Sequence, residues 1–338
     1  MKYGIGIPTS HQGVYLPSPF AGPKEITSVT QLAEKLGFYS AWGLDFITPT
    51  ESRHKVPGQL PQWHEVIISL AYLAAATKKI KLGTATVVLP HRDPVLLAKQ
   101  TATLDVLSGG RFLLGVGLGG SRDEFEAIMP RMHDAHRGTM YVESLELLNL
   151  LLSKDNASYK GKYFEFNEVS FNPKPIQKPF PIYISGKTDD TPRRVAKYGS
   201  GWLLSRAQVN PPIPERIEQL YPFLEAEGRK RSDIDVVVTK GLSLGKTHEE
   251  ALERFQKSML PGRMDVMAAR PGIGGKPSVD RVYHQNFVGT PDDVIEQIEK
   301  VKKDDVDHCV IFYFAVNTFQ DMMEQAQWFG EDVLPKVR

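Results

Sequence analysis

Residues Leu82–Gly120 read LGTATVVLPHRDPVLLAKQTATLDVLSGGRFLLGVGLGG. The stretch begins inside a β-rich apolar run, Ile80–Leu89, that ends at Pro90. Pro94 then stands at a first helical turn and Gly109-Gly110 at a last one, so Pro94–Leu107 is expected to be a helix. A second apolar run, Arg111–Gly117, follows at once. Strand, helix and strand in this order imply two parallel strands joined by a right-handed crossover.

The same rhythm runs outward along the chain. Strands are expected at Tyr3–Pro8, Ser40–Leu44, Pro181–Ser185, Gly201–Leu204, Asp235–Leu244 and His308–Phe314 as well. Helical spacing separates them, at Ile26–Leu36, Trp63–Thr77, Thr139–Leu152, Pro192–Tyr198, Pro214–Glu227, His248–Lys257 and Pro291–Lys303, and a last helix covers Phe319–Leu334. Tyr163–Phe171 reads as a small hairpin outside the rhythm. Met259–Gly289 has little periodicity and reads as a lid or a disordered loop. Eight parallel strands are the number that closes a barrel. No linker or repeat divides residues 1–338, so the expected fold class is α/β, a single TIM (β/α)8 barrel domain with insertions. Chemistry in such a barrel gathers at the C-terminal ends of the strands. Here those ends are Pro8–Ser10, Asp45–Phe46, Thr84–Pro90, Gly117–Ser121, Ser185–Thr191 and Leu204–Arg206.

Composition narrows the function. The 338 residues carry 41 Lys+Arg against 40 Asp+Glu, a formal charge of +1, which gives no electrostatic reason to expect nucleic acid or an anionic membrane as partner. One cysteine, Cys309, excludes an internal disulfide and a Cys-rich metal site, and its apolar neighbours mark it as core. The start, MKYGIGIPTS, has no signal-peptide apolar region, and the longest apolar stretch, Val66–Thr77, is too short to span a bilayer. A cytoplasmic location is expected.

Three motifs have both a functional and a structural explanation. Gly115, Gly117 and Gly120 match a dinucleotide fingerprint, but no second strand ending in an acid follows at the required distance. The glycines are better explained as places where the backbone passes close to something at the mouth. Gly186-Lys187-Thr188 lies between a strand and a helix and offers free N–H groups, a cation and, with Thr191, two hydroxyls, a plausible phosphate pocket, although Asp189 and Asp190 would repel an anion unless turned away. His133 and His136 have helical metal-ligand spacing but no companion ligands, so no metal is expected. Trp42 and Trp202 fall on strands as core or pocket wall.

With these blocks in hand, the sequence resembles the bacterial luciferase-like superfamily of flavin-dependent monooxygenases and coenzyme F420-dependent oxidoreductases. The resemblance rests on Leu82–Gly120, NPKPIQKPFPIYISGK (Asn172–Lys187), YGSGWLLS (Tyr198–Ser205) and VGTPDDVIEQIEK (Val288–Lys300), in that order. It implies a flavin in the barrel mouth, a non-proline cis peptide at Ala85–Thr86 under its ring, and flanking contacts from Gly117 and the loop Leu118–Ser121, Gly119 included. It implies a phosphate site at Ser185, Gly186, Lys187, Thr188 and Thr191. Where some relatives place an arginine after the fourth strand, Leu118 stands here, so Lys187 and Arg122 are the expected phosphate partners.

One departure bears on catalysis. Many members have an acid followed by His at the end of the second strand, and this chain has Asp45-Phe46. Proton transfer would pass to Asp45, to His91 or another imidazole such as His11 or His64, or to water. Phe46 and Trp202 would extend the substrate pocket. The resemblance implies an oxidoreductase acting on a small organic substrate with reduced FMN and O2, supplied by a flavin reductase, in a homodimer. The alternatives are an F420-dependent hydride-transfer enzyme and a non-catalytic flavin-binding relative.

Overall fold

In the computed structural model the strands, in chain order, are Lys2–Ile7 (β1), Ser40–Gly43 (β2), Lys81–Thr84 (β3), Val87–Val88 (β4), Phe112–Gly117 (β5), Ala157–Lys160 (β6), Glu165–Val169 (β7), Ile182–Ser185 (β8), Gly201–Leu204 (β9), Asp235–Leu244 (β10), Asn286–Gly289 (β11) and His308–Phe314 (β12). The structure describes residues 1–49, 60–120, 122–204, 211–262 and 285–338. Pairing runs β1–β2–β3–β5–β8–β9–β10–β12 and returns to β1, parallel throughout. Eight strands therefore close a barrel, as the alternating pattern implied.

Period-two alternation sorts the strand residues into two layers. Trp42, Leu113, Tyr183, Leu203, Val237 and Val310 pack together inside the barrel. Ile5, Leu82, Leu114, Ile184, Trp202 and Val236 face the helices in a larger cluster. The helices start and stop where local chemistry dictates. Pro94–Ser108 (the helix of the opening stretch) is capped by Asp93, whose carboxylate accepts from the Leu96 N–H at 2.9 Å, and it ends on Gly109 at φ 67°, a left-handed conformation that glycine adopts without steric cost.

Four expectations need correction. The third strand is not continuous: it breaks between β3 and β4, for a reason that belongs to the site. The helix expected over Pro214–Glu227 is two, Ile213–Glu218 and Tyr221–Ala226. Pro222 cannot continue the first, because its ring collides with the carbonyl four residues back. The hairpin pairs β6 with β7, so its first strand begins before Tyr163. Of the segment read as a lid, 263–284 lies outside the described residues, and its end is strand β11, buried and paired in parallel with β10.

Candidate active site

The mouth of the barrel is built around the break in the third strand. Between the pairs Gly83↔Leu113 and Val87↔Val116 the β3–β4 side has three residues against two on β5. One residue is thus extra, as in a β-bulge. The Ala85–Thr86 peptide within it is cis. Thr84 replaces the lost ladder with its side chain: its hydroxyl donates to the Gly115 carbonyl at 2.7 Å and accepts from the Gly115 N–H at 2.9 Å. A Cβ on Gly115 would lie 1.9 Å from the Thr84 carbonyl oxygen, and one on Gly117 would lie 2.5 Å from the Thr86 hydroxyl. The glycine run in β5 therefore exists because the bulge lies against it.

Asp45 holds the bulge from the other side. Its carboxylate accepts from the Val88 N–H at 3.2 Å and pairs with Arg92 at 2.7 Å, and Arg92 also pairs with Glu65 at 2.8 Å. Burial pushes the Asp45 pKa up, the opposing pull of Arg92 notwithstanding. Both carboxylate oxygens are thus engaged, Oδ2 by the Val88 backbone and Oδ1 by the Arg92 guanidinium.

An apolar wall rises beside the bulge. Tyr15, Leu44 and Phe312 are buried there, and Phe46, Trp63 and Ala85 pack against the same cluster. The Phe46 and Trp63 rings are 5.2 Å apart, and Trp63 is fixed by its indole N–H, which donates to the Gln12 carbonyl at 2.9 Å. His11 is embedded in this wall, 5.1 Å from the Phe312 ring. Neither of its ring nitrogens has a hydrogen-bond partner, and burial lowers its pKa to about 3, so the ring is neutral. His91 is buried elsewhere, stacked on Phe125 at 6.2 Å, and Phe125 packs with Ala135 and Met140 in a separate cluster. His64 contributes backbone, its N–H bonding the Thr9 carbonyl and its carbonyl accepting from Ser10.

Across the mouth, β8 ends at Ser185 and the helix Asp190–Tyr198 begins. Gly186 lies against Thr191, whose N–H bonds the Thr188 carbonyl at 2.9 Å and whose hydroxyl is 3.2 Å from that of Thr188. Asp190 is drawn to its own helix by Arg193 and Arg194 at 3.5 and 3.2 Å. Lys187 and Thr188 are exposed. Arg216, a buried residue of the helix Ile213–Glu218, donates to the Lys187 carbonyl at 3.1 Å.

Several expected site residues lie elsewhere. Trp202 is not a pocket wall: β9 turns it toward the helices, and Leu203 faces the interior. Arg122 is engaged on the segment after β5, where it pairs with Glu126 at 2.8 Å and donates to the His133 carbonyl. His136 caps its helix, with Nδ1 accepting from the Thr139 N–H at 3.2 Å. Cys309 is buried and free, and burial pushes its thiol up to about 12. Among the described residues no group of three or more His, Cys, Asp or Glu could hold a metal, and no helix is long and apolar enough to cross a membrane. Ser121 and 205–206 of the expected mouth fall outside the described residues.

The sequence pattern of the luciferase-like monooxygenase family matches residues 1–308. The chain belongs to that family. Its luciferase-like relatives span two cofactors. An F420-dependent glucose-6-phosphate dehydrogenase of Amycolatopsis mediterranei is 27% identical over 94% of this chain and 95% of its own. An FMNH2-dependent dimethylsulfone monooxygenase of Pseudomonas putida is 26% identical over 92% and 86%. The crystal structure of a monooxygenase from Streptomyces bottropensis superposes with a TM-score of 0.79 at 22% identity, covering 100% of both chains. This luciferase-like protein is therefore an oxidoreductase of that family. Arg92, Glu65, Thr84 and Arg216 escaped the sequence reading. For Arg92 a signal existed, since it sits in the family-like block HRDP; Arg216 lies in an ordinary charged helix and gave none.

Proposed function

We propose that the protein is a monooxygenase that uses reduced FMN and O2 on a small organic substrate. The observation that carries this reading is the rim of β2. Phe46 stands where the resemblance expects an imidazole, and the adjacent Asp45 is committed to Arg92 and the Val88 N–H. That rim offers an apolar enclosure in place of a proton acceptor, which suits oxygenation and leaves hydride transfer without its usual partner there.

The residues present fit a flavin. The bulge at Ala85–Thr86 presents a backbone platform, β5 opposite it has no side chains at Gly115 and Gly117, and the Gly186–Thr191 loop offers N–H groups and hydroxyls to a phosphate. Reduced flavin, when bound, supplies electrons for activating oxygen. The chain's own part is positioning and exclusion. Asp45 and Thr84 hold the platform, Tyr15, Phe46, Trp63 and Phe312 keep water from it, and the loop after β8 anchors the far end. A flavin reductase would deliver the cofactor. A homodimer would cover the apolar residues Ile68, Tyr72, Leu96 and Leu107, which are exposed on the neighbouring helices Val66–Ala76 and Pro94–Ser108.

A second reading, F420-dependent hydride transfer, is favoured by one observation: the neutral, unpartnered imidazole of His11 beside the mouth could exchange a proton with an alcohol or carbonyl substrate. The deciding experiment is anaerobic titration of the apoprotein with reduced FMN and, in parallel, with F420. Tighter binding of reduced FMN is the expected result. Preference for F420 moves the assignment to hydride transfer, and binding of neither overturns both.

A further inference from the structure

Arg216 is 7% exposed, yet no carboxylate among the described residues pairs with it. Its Nη2 donates to the Lys187 carbonyl at 3.1 Å, its Nη1 reaches the Gln219 amide oxygen at 3.4 Å, and its buried Nε has no partner. The acids nearest in sequence do not serve it. Glu215 and Glu218 are exposed, Asp189 is exposed, and Asp190 is held by Arg193 and Arg194. The adjoining segment 205–210, SRAQVN, contains no acid at all. Buried guanidinium groups are ordinarily paired, because an uncompensated charge in low dielectric is costly. This one lies under the loop that, with Thr188 and Thr191, leads into the helix Asp190–Tyr198.

We propose that Arg216 is the buried countercharge of a cofactor phosphate, which makes the protein select a phosphorylated flavin over its unphosphorylated form. The proposal rests on the cofactor reading above and sharpens it by naming the residue that sets the selectivity. Lys187 cannot play this part alone, because its ammonium is in solvent and strongly screened. Arg216 acts from below, in a site where water does not dilute the field.

The test is anaerobic titration of wild type, Arg216→Gln and Arg216→Lys with reduced FMN and with reduced riboflavin, together with melting in inorganic phosphate. Wild type is expected to prefer FMN. Arg216→Gln should lose about tenfold or more in FMN affinity with riboflavin affinity unchanged. Arg216→Lys should recover part of the difference. If the protein prefers deazaflavins, F420 and its phosphate-free deazariboflavin replace the pair. Inorganic phosphate should raise the Tm of wild type and not of Arg216→Gln. An FMN-to-riboflavin ratio unchanged by Arg216→Gln, or equal losses for both ligands, overturns the countercharge and leaves Arg216 a prop for the loop. Binding of no flavin or deazaflavin by wild type defeats the cofactor reading instead. In that event the phosphate melt still decides whether Arg216 serves an anion, and absence of a shift in wild type sinks the proposal by itself. If Arg216→Gln does not fold, the ratio measured on Arg216→Lys, which keeps the charge and loses the fork, stands in for it.

Discussion

Two fully buried histidines sit at opposite ends of the same barrel. His308 begins β12 at the floor. Its Nε2 lies 2.9 Å from the Ser40 hydroxyl, which also accepts from the Trp42 indole at 2.7 Å. Tyr183 and Lys2 meet Asp235 beside it, at 2.9 and 3.1 Å. His11 stands at the mouth among aromatic rings, and its ring makes no hydrogen bond. Burial lowers both pKa values to about 3, so the two rings share charge state and depth and differ in company. The floor is a polar plug of side chains bonded to one another, although His308 Nδ1 and Asp235 Oδ1 make no hydrogen bond. The mouth leaves the His11 imidazole without a hydrogen bond and the Arg216 guanidinium without a carboxylate, its Nε unbonded. The cofactor site proposed above lies at the mouth, where chemistry gathers in barrels of this kind.

If that division is right, damage to the floor costs stability and spares binding. Trp42 is fully buried, 5.5 Å from the Tyr183 ring and 5.8 Å from His308. Trp42→Ala should cost about 3–5 kcal/mol in urea unfolding, with reduced-FMN affinity at low denaturant changed by less than about threefold. Loss of binding in step with stability would erase the distinction between the two ends. Acid is the next lever. A histidine whose folded pKa lies below its unfolded value contributes stability that is complete above about pH 6.5 and disappears as pH falls toward 3. Each ring should therefore account for about 3 kcal/mol of the stability lost between pH 7 and 4. His11→Phe should remove one such share of the acid sensitivity, a difference visible in unfolding curves at pH 4.5 and 8.

At pH 8 the two rings should part company. His308→Phe loses the Ser40 bond and should cost about 1–2 kcal/mol. His11→Phe gives up no bond and replaces one ring by another among Tyr15, Phe312 and Tyr313, so its Tm should stay within about 2 °C of wild type. A large loss of stability in His11→Phe would show that its nitrogens have a structural partner. A loss of turnover with unchanged Tm would favour the hydride-transfer reading.

The framework was legible in sequence because it follows from local pattern. Pro94 and Gly109 marked their helix, the β-rich runs marked the barrel strands, and the resemblance placed the cis bond at Ala85–Thr86, where it is found. The strand β11 was not legible, since four residues at the end of an irregular, glycine-rich segment carry no period to read. Trp202 was misplaced because a buried strand with apolar residues on both faces does not tell which face looks inward; only the pairing of Trp202 with Ile184 and Val236 does. Asp45 was visible as an acid at the mouth. Its pairing was not, because the partner, Arg92, stands 47 positions along the chain.

The smallest expected effect bears on the same contrast. In the sequence Lys187 is the natural phosphate partner, a cation in a Gly-Lys-Thr turn before a helix. In the structure its side chain is exposed, whereas Arg216 lies buried beneath its carbonyl. An exposed cation competes with salt and gives back part of any Coulomb gain as side-chain entropy. Lys187→Ala should therefore weaken reduced-FMN binding by less than about fivefold at 0.15 M salt, with the difference fading at higher ionic strength. The effect of Arg216→Gln should persist at that ionic strength, because a pair shielded from water is screened far less. If Lys187→Ala instead costs as much as Arg216→Gln and its effect resists salt, then the lysine folds over the bound phosphate. The anion would then be clamped from above as well as below, and exposure in the free protein would be a poor guide to which cation matters.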